Sequence, residues 1–229
     1  MRELVLDTET TGLDPAEGHR IVEIAAVELV NHMATGRVWH QYINPRRPVP
    51  AEAQAIHGLD DAFLADKPPF EAVVKPFLEF LGEARLVIHN ATFDMRFLNA
   101  ELARVKGPAL PDTRAVDTLA MARARFPGSP ASLDALCRRF GIDNSAREKH
   151  GALLDCELLA EVYLELIGGR QPDFQLGGGA VTTATAAQDG WRPQPRSRPL
   201  PPRMTEAEAA DHAALRDRLG DGAVWARFG

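Results

Sequence analysis

Apolar residues fall in short runs along the front two-thirds of the chain. Leu4-Val5-Leu6 ends in alternating acids, Asp7 and Glu9, then a Thr10-Thr11-Gly12 turn, which predicts a strand near 3–8. Further strands are expected near 21–30 and 37–44, then a short helix near 51–57 and a helix over 70–81 that tolerates or bends at Pro76. Leu86-Val87-Ile88 marks a strand at 85–89 feeding a helix at 93–105, with Thr92 as its cap. Residues 115–123 read as a short strand or a helix start. A helix begins after Ser132 and ends near Gly141, and another runs from Gly151 to Ile167 before Gly168-Gly169. Three consecutive strands followed by strand–helix alternation predict an α/β domain over 1–169, a mixed central sheet flanked by helices.

Several acids occupy positions where this pattern calls for core-facing residues. Residues two apart on a strand share a face, so Asp7 and Glu9 point together with Thr8 opposite. Asp94 heads the helical stripe Leu98, Leu102 and Val105; taken alone it could be an acid favoured by the dipole of a first helical turn. Asp155 shares a stripe with Leu158, Leu159, Val162 and Leu166. His150 and Asp155 would lie about 140° apart on one helix. They converge only if His150 belongs to the preceding loop, and Gly151 makes that bend easy. Inward carboxylates repel one another and lose hydration, at a cost of several kcal/mol per unpaired ion. A pair of hard divalent cations relieves this, which points to two-metal phosphodiester chemistry with His150 as general base.

The composition changes after Gly169. Gly177-Gly178-Gly179 and a run of Ala and Thr carry no apolar period, and residues 192–203 hold five prolines and four arginines. Residues 170–203 are therefore expected to be a flexible linker. Thr205 with Glu208 makes a capping box that opens a helix to about Leu219, trailed by Trp225 and Phe228. Residues 204–229 cannot build a core alone, so aromatic anchors on a tether read as a docking segment, with a disordered tail as the alternative.

The 229 residues carry a net charge of −6, which fits poorly with a broad nucleic-acid-binding surface. Residues 1–169 hold 18 Lys and Arg against 25 Asp and Glu; residues 170–229 hold 8 against 7. Contact at a strand terminus needs few phosphate partners, bound cations offset acidity, and a tethered partner raises effective concentration. Apolar content of 45% is ordinary, and no apolar run approaches the roughly 20 residues of a membrane span. The chain enters a strand almost at once, so no signal peptide is expected. Cys137 and Cys156 lack metal-type spacing and read as free buried thiols of a cytoplasmic protein.

The order and spacing of Asp7, Glu9, Asp94, His150 and Asp155 resemble the signature of the DEDDh exonuclease superfamily. EGHRIVEIAAVELVN, AEAQAIHGLDD, SLDALCRRFGIDNS and HGALLDCELLAEVYLELIGG, with the stretch from Thr205 to Phe228, resemble its branch serving bacterial DNA polymerase III. The resemblance implies a ribonuclease H-like exonuclease fold plus a C-terminal tail. It implies a 3′-to-5′ exonuclease that proofreads DNA using two cations, Mg²⁺ or Mn²⁺, about 4 Å apart. In that reading Asp7 bridges them, Glu9 and Asp155 complete the water-activating site, and Asp94 holds the second. Glu52 and His57 would contact the terminal nucleotide; Thr10, Thr11, Gly12 and Asn90 are further candidates for backbone or sugar contacts. The implied partners are the polymerase III alpha subunit through Trp225 and Phe228, the theta subunit, and the sliding clamp. Gln171, Phe174 and Leu176 resemble a clamp-binding peptide, a pattern that also arises by chance.

Three rivals remain at this stage. An aspartyl-nucleophile phosphatase would use the Asp7-Thr8-Glu9-Thr10 loop, but the second acid is Glu and the third segment supplies His and Asp. A related RNA-trimming exonuclease would not need the aromatic-ended tail. A non-catalytic polymerase-stabilising subunit would not need five filled catalytic positions.

Overall fold

Alternation in β1 (Arg2–Thr10) sorts its side chains between two helical layers. The computed structural model describes residues 1–145, 147, 149–169 and 205–219. Met1–Gln175 forms one compact unit and Leu176–Gly229 another. In the first, β2 (Ile21–Val30) pairs antiparallel with β1, and β3 (Met33–Tyr42) pairs antiparallel with β2. β4 (Arg85–Ile88) lies parallel on the other side of β1, and β5 (Ala115–Asp117) parallel to β4. The sheet order is β3-β2-β1-β4-β5.

Leu4 and Leu6 face one layer, built by α3 (Phe70–Leu81) and α4 (Ala91–Arg104), whose Phe70, Phe77, Phe97, Leu98 and Leu102 are buried. Val5 faces the other, built by α5 (Thr118–Arg125), α6 (Leu133–Phe140) and α7 (Ala152–Leu166), with Leu136, Cys156, Leu159 and Val162 buried. Each such large side chain contributes about 1.5–3 kcal/mol on burial. Between β3 and α3 lie α1 (Ala51–His57) and the four-residue α2 (Asp61–Leu64). In the second unit, α8 (Glu206–Leu219) starts at the expected box: the Thr205 N–H donates to Glu208 Oε2 at 2.8 Å and the Glu208 N–H to Thr205 Oγ1 at 3.3 Å.

Several boundaries differ from the sequence reading. β3 begins at Met33, not residue 37, because Asn31 and His32 both take positive φ, 51° and 65°, and close a two-residue hairpin without glycine. α4 begins at Ala91, so Thr92 lies inside the helix and is not its cap. Asn90 holds the cap position with φ 65° and no side-chain bond, and its carbonyl accepts from the Phe93 N–H at 3.0 Å. Residues 115–123 are both expected things in turn, β5 then α5, hinged on Asp117, whose carboxylate caps Leu119 at 2.9 Å. Ser132 caps α6 by accepting from the Ala135 N–H at 3.3 Å, and Gly141 ends it with φ 69°. Cys137 and Cys156 are free and buried. Among the described residues no helix is long and apolar enough to cross a membrane.

Candidate active site

β1, β4 and β5 run parallel and end on the same edge of the sheet, where crevices form at carboxyl ends. Asp7 and Glu9 continue the Val5 face toward α7. Thr8 continues the opposite face and donates to Asp94 Oδ1 at 2.6 Å, tying β1 to the first turn of α4. Asp94 is 3% exposed and Asp155 4%. Asp155 sits one turn into α7, anchored by the apolar residues that share its stripe.

Ligand atoms of Glu9, His150 and Asp155 all lie within 4.8 Å of one another. Asp7 stands among the other acids. Burial raises its pKa well above the ordinary carboxylate range, followed by the charges of Asp94, Glu9, Asp155 and Glu23. Burial, then Asp155, Glu23 and Asp94, pushes Glu9 up to about 8. Burial pushes Asp94 up to about 7 against the opposing Thr8 bond. Asp155 goes the other way: burial would raise it, but the His150 and Arg147 side chains against it hold it below its ordinary value.

His150 precedes α7 and lies in the loop, as required for convergence; its side chain is half exposed. Its backbone N–H donates to Ile56 O at 3.1 Å, fastening this loop to α1. The α7 N-terminus is fixed by Glu23. Its Oε2 accepts from the Ala152 N–H at 3.3 Å and its Oε1 meets His40 Nε2 at 2.7 Å.

The remaining candidates divide. His57 is buried at the end of α1, with Nδ1 accepting from the Leu59 N–H at 3.0 Å. Burial lowers its pKa, so the ring is neutral with its proton on Nε2, which has no hydrogen-bond partner among the described residues. Glu52 is exposed on the same helix and Asn90 is exposed at the start of α4. Thr10 and Thr11 are less available. Thr10 Oγ1 donates to Gly12 O at 2.7 Å, and Thr11 Oγ1 accepts from the Arg20 N–H at 3.0 Å beside His19. Gly12 has no room for a side chain, since an added Cβ would come within 2.3 Å of the His19 ring. Gln171, Phe174, Leu176, Trp225 and Phe228 lie outside the described residues.

Sequence reasoning missed Glu23 and Arg147. Glu23 was findable, because antiparallel pairing in register sets it directly opposite Glu9. Arg147 carried no periodic signal; its role comes from loop geometry. It donates to both Asp155 oxygens, from Nε at 2.5 Å and Nη2 at 2.7 Å, and to Asp134 Oδ1 at 2.8 Å.

The donor set, clustered carboxylates plus an imidazole, fits hard divalent cations, and one guanidinium does not balance the buried acids.

Residues 4–163 match the family model described as Exonuclease. The DNA polymerase III subunit epsilon of Rickettsia felis is 55% identical over 190 residues, 82% of this chain and 83% of that one. That of Escherichia coli K12 is 50% identical over 177 residues, 74% and 72% of the two chains. Among solved structures, exonuclease X in complex with 5′ overhanging duplex DNA is 29% identical and superposes with a TM-score of 0.56, over 72% of this chain and 90% of its own. The mixed sheet with helices on both faces is the ribonuclease H-like exonuclease fold, and the chain belongs to the exonuclease family, in the branch of the DNA polymerase III epsilon subunits.

Proposed function

We propose that this 3′-to-5′ proofreading exonuclease hydrolyses the terminal phosphodiester of a DNA strand with two divalent cations, Mg²⁺ or Mn²⁺, releasing 5′-mononucleotides. The observation that carries the reading is the gathering of Asp7, Glu9, Asp94 and Asp155 from three distant segments, with His150 alongside. When bound, the cations supply an acidified water and positive charge beside the departing 3′-oxygen. Glu9 and Asp155 would hold one cation and Asp94 the other, and Asp7 would be shared between them. His150 takes the proton from the attacking water, and its exposure lets that proton pass to solvent. His57 offers its Nε2–H, which lies near the Thr10 backbone without a well-formed bond among the described residues, to an oxygen of the terminal nucleotide, with Glu52 on the same helix and the Asn90 amide beyond.

Selectivity for errors needs no base reading, because a mispaired end frays more readily and costs less to feed in as a single strand. The organisation is an exonuclease domain over 1–169, a linker over 170–203 and a docking segment over 204–229. Trp225 and Phe228 anchor the polymerase alpha subunit. Gln171, Phe174 and Leu176 engage the sliding clamp, and the theta subunit is a further partner. Two free, buried cysteines are in keeping with a protein of the reducing cytoplasm. Digestion of a 3′-mispaired primer tests the catalytic reading. Activity should vanish with chelator, return with Mg²⁺ or Mn²⁺, and be lost in Asp7→Ala; undiminished activity of that variant would exclude the assigned site.

A further inference from the structure

Asp155 is the acid of the site with a full cationic partner, and that partner is a side chain. Arg147 sets its fork on both carboxylate oxygens, Nε at 2.5 Å and Nη2 at 2.7 Å, an arrangement that matches the two donors to the two acceptors. Its Nη2 also lies 2.9 Å from His150 Nδ1. A guanidinium N–H can only donate, so in the neutral ring Nδ1 accepts from it; the same Nδ1 lies 3.4 Å from Asp155 Oδ2, to which the protonated ring would donate instead. Nη1 reaches outward to Asp134 Oδ1 at 2.8 Å, and the side chain is 7% exposed. One residue thus takes the oxygens with which Asp155 would bind a cation and the lone pair with which His150 would accept a proton.

We propose that Arg147 is an internal counter-cation of the site, a latch exchanged for a divalent cation. In the latched arrangement it positions Asp155 and His150 and neutralises the buried carboxylate. When a cation takes Asp155, the guanidinium leaves both Asp155 and His150 and stays on Asp134, whose 44% exposed side chain gives it a polar place to go. The exchange frees base and ligand together, so His150 becomes competent when the cation is in place. Among the described residues, no arginine makes such a two-pronged contact with Glu9 or Asp94.

The inference rests on the cation reading above, and the test separates the two. Mn²⁺ is titrated calorimetrically into the full-length protein and into Arg147→Gln. Removing the competitor should tighten the Asp155-dependent binding event by roughly tenfold, the scale of one charge-assisted bond lost from the unbound side of the equilibrium. A variant that binds Mn²⁺ with equal or lower affinity overturns the latch, while a wild-type protein that binds none overturns the cation reading with it. A second measurement needs no variant: the Nε–H resonance of Arg147 in the wild-type protein, followed by NMR during Mg²⁺ titration. It should move to the position and fast water exchange of a solvated guanidinium. Retention of its bonded shift at saturating Mg²⁺ contradicts the proposal.

Discussion

His150 is the residue whose loss should separate chemistry from structure. It is half exposed, so His150→Ala should lower kcat by about 10²–10⁴ while the fold persists, with a modest loss of melting temperature because its ring also lies against Asp155 and Arg147. Steady-state digestion of a single-stranded primer, alongside thermal unfolding, measures both. The carboxylates make a second residue-scale prediction. Glu9 titrates at about 8 in the fold against an ordinary 4.5, and Asp94 at about 7 against 3.8. Between those values the folded chain binds more protons than the unfolded chain, so stability falls as pH rises. In chelator, unfolding free energy should decline from about pH 5 to pH 8, and Glu9→Gln should flatten the decline. Saturating Mg²⁺ should flatten it too, since a bound cation favours the ionised acids. The inward setting of the four acids was legible beforehand because each broke an apolar pattern, Asp7 and Glu9 a strand, Asp94 and Asp155 a helical stripe, and the loop position of His150 was legible from the Gly151 bend. Arg147 broke nothing. It lies in an irregular loop between α6 and α7, where no period marks a side chain as inward.

At the scale of elements, the position of α7 decides whether Asp155 and His150 meet. Its first turn has no side-chain N-cap of its own, and Glu23 of β2 supplies an acceptor to the Ala152 N–H. Glu23→Ala leaves that donor and His40 without their partner and should cost about 1–3 kcal/mol in urea unfolding. Glu23→Gln retains an acceptor and should cost less. Helix identities in the first unit followed from period because those helices bury one face, while β1 and β2, buried on both faces, showed as near-continuous apolar runs. The failures came where the backbone did the work. Asn31-His32 closes a hairpin in the left-handed region without glycine, and Asn90 starts α4 through its backbone carbonyl, so Thr92 misled as a cap. α2 is one turn long, too short for a period, and only Asp60, capping Phe63 at 2.7 Å, marks it.

For the whole molecule, the charge is uneven: residues 1–169, which contain the matched exonuclease region, are acidic, and residues 170–229 carry a slight positive balance. Deleting residues 204–229 should abolish co-purification with the polymerase alpha subunit and leave primer digestion by the isolated protein unchanged. Loss of both together would mean that the tail serves the exonuclease domain itself. The α8 capping box was visible as Thr205 with Glu208 because it is local; the expected linker from residue 170 lies outside the described residues. Which surface the tail engages is a property of its partner and leaves no period to read. The central claim is that acids from three segments converge to share two cations, and anomalous scattering from a crystal grown with Mn²⁺ tests it most directly. The account predicts two manganese peaks, one against Glu9 and Asp155, one against Asp94, with Asp7 touching both. Peaks elsewhere, or none among these four carboxylates, would contradict it.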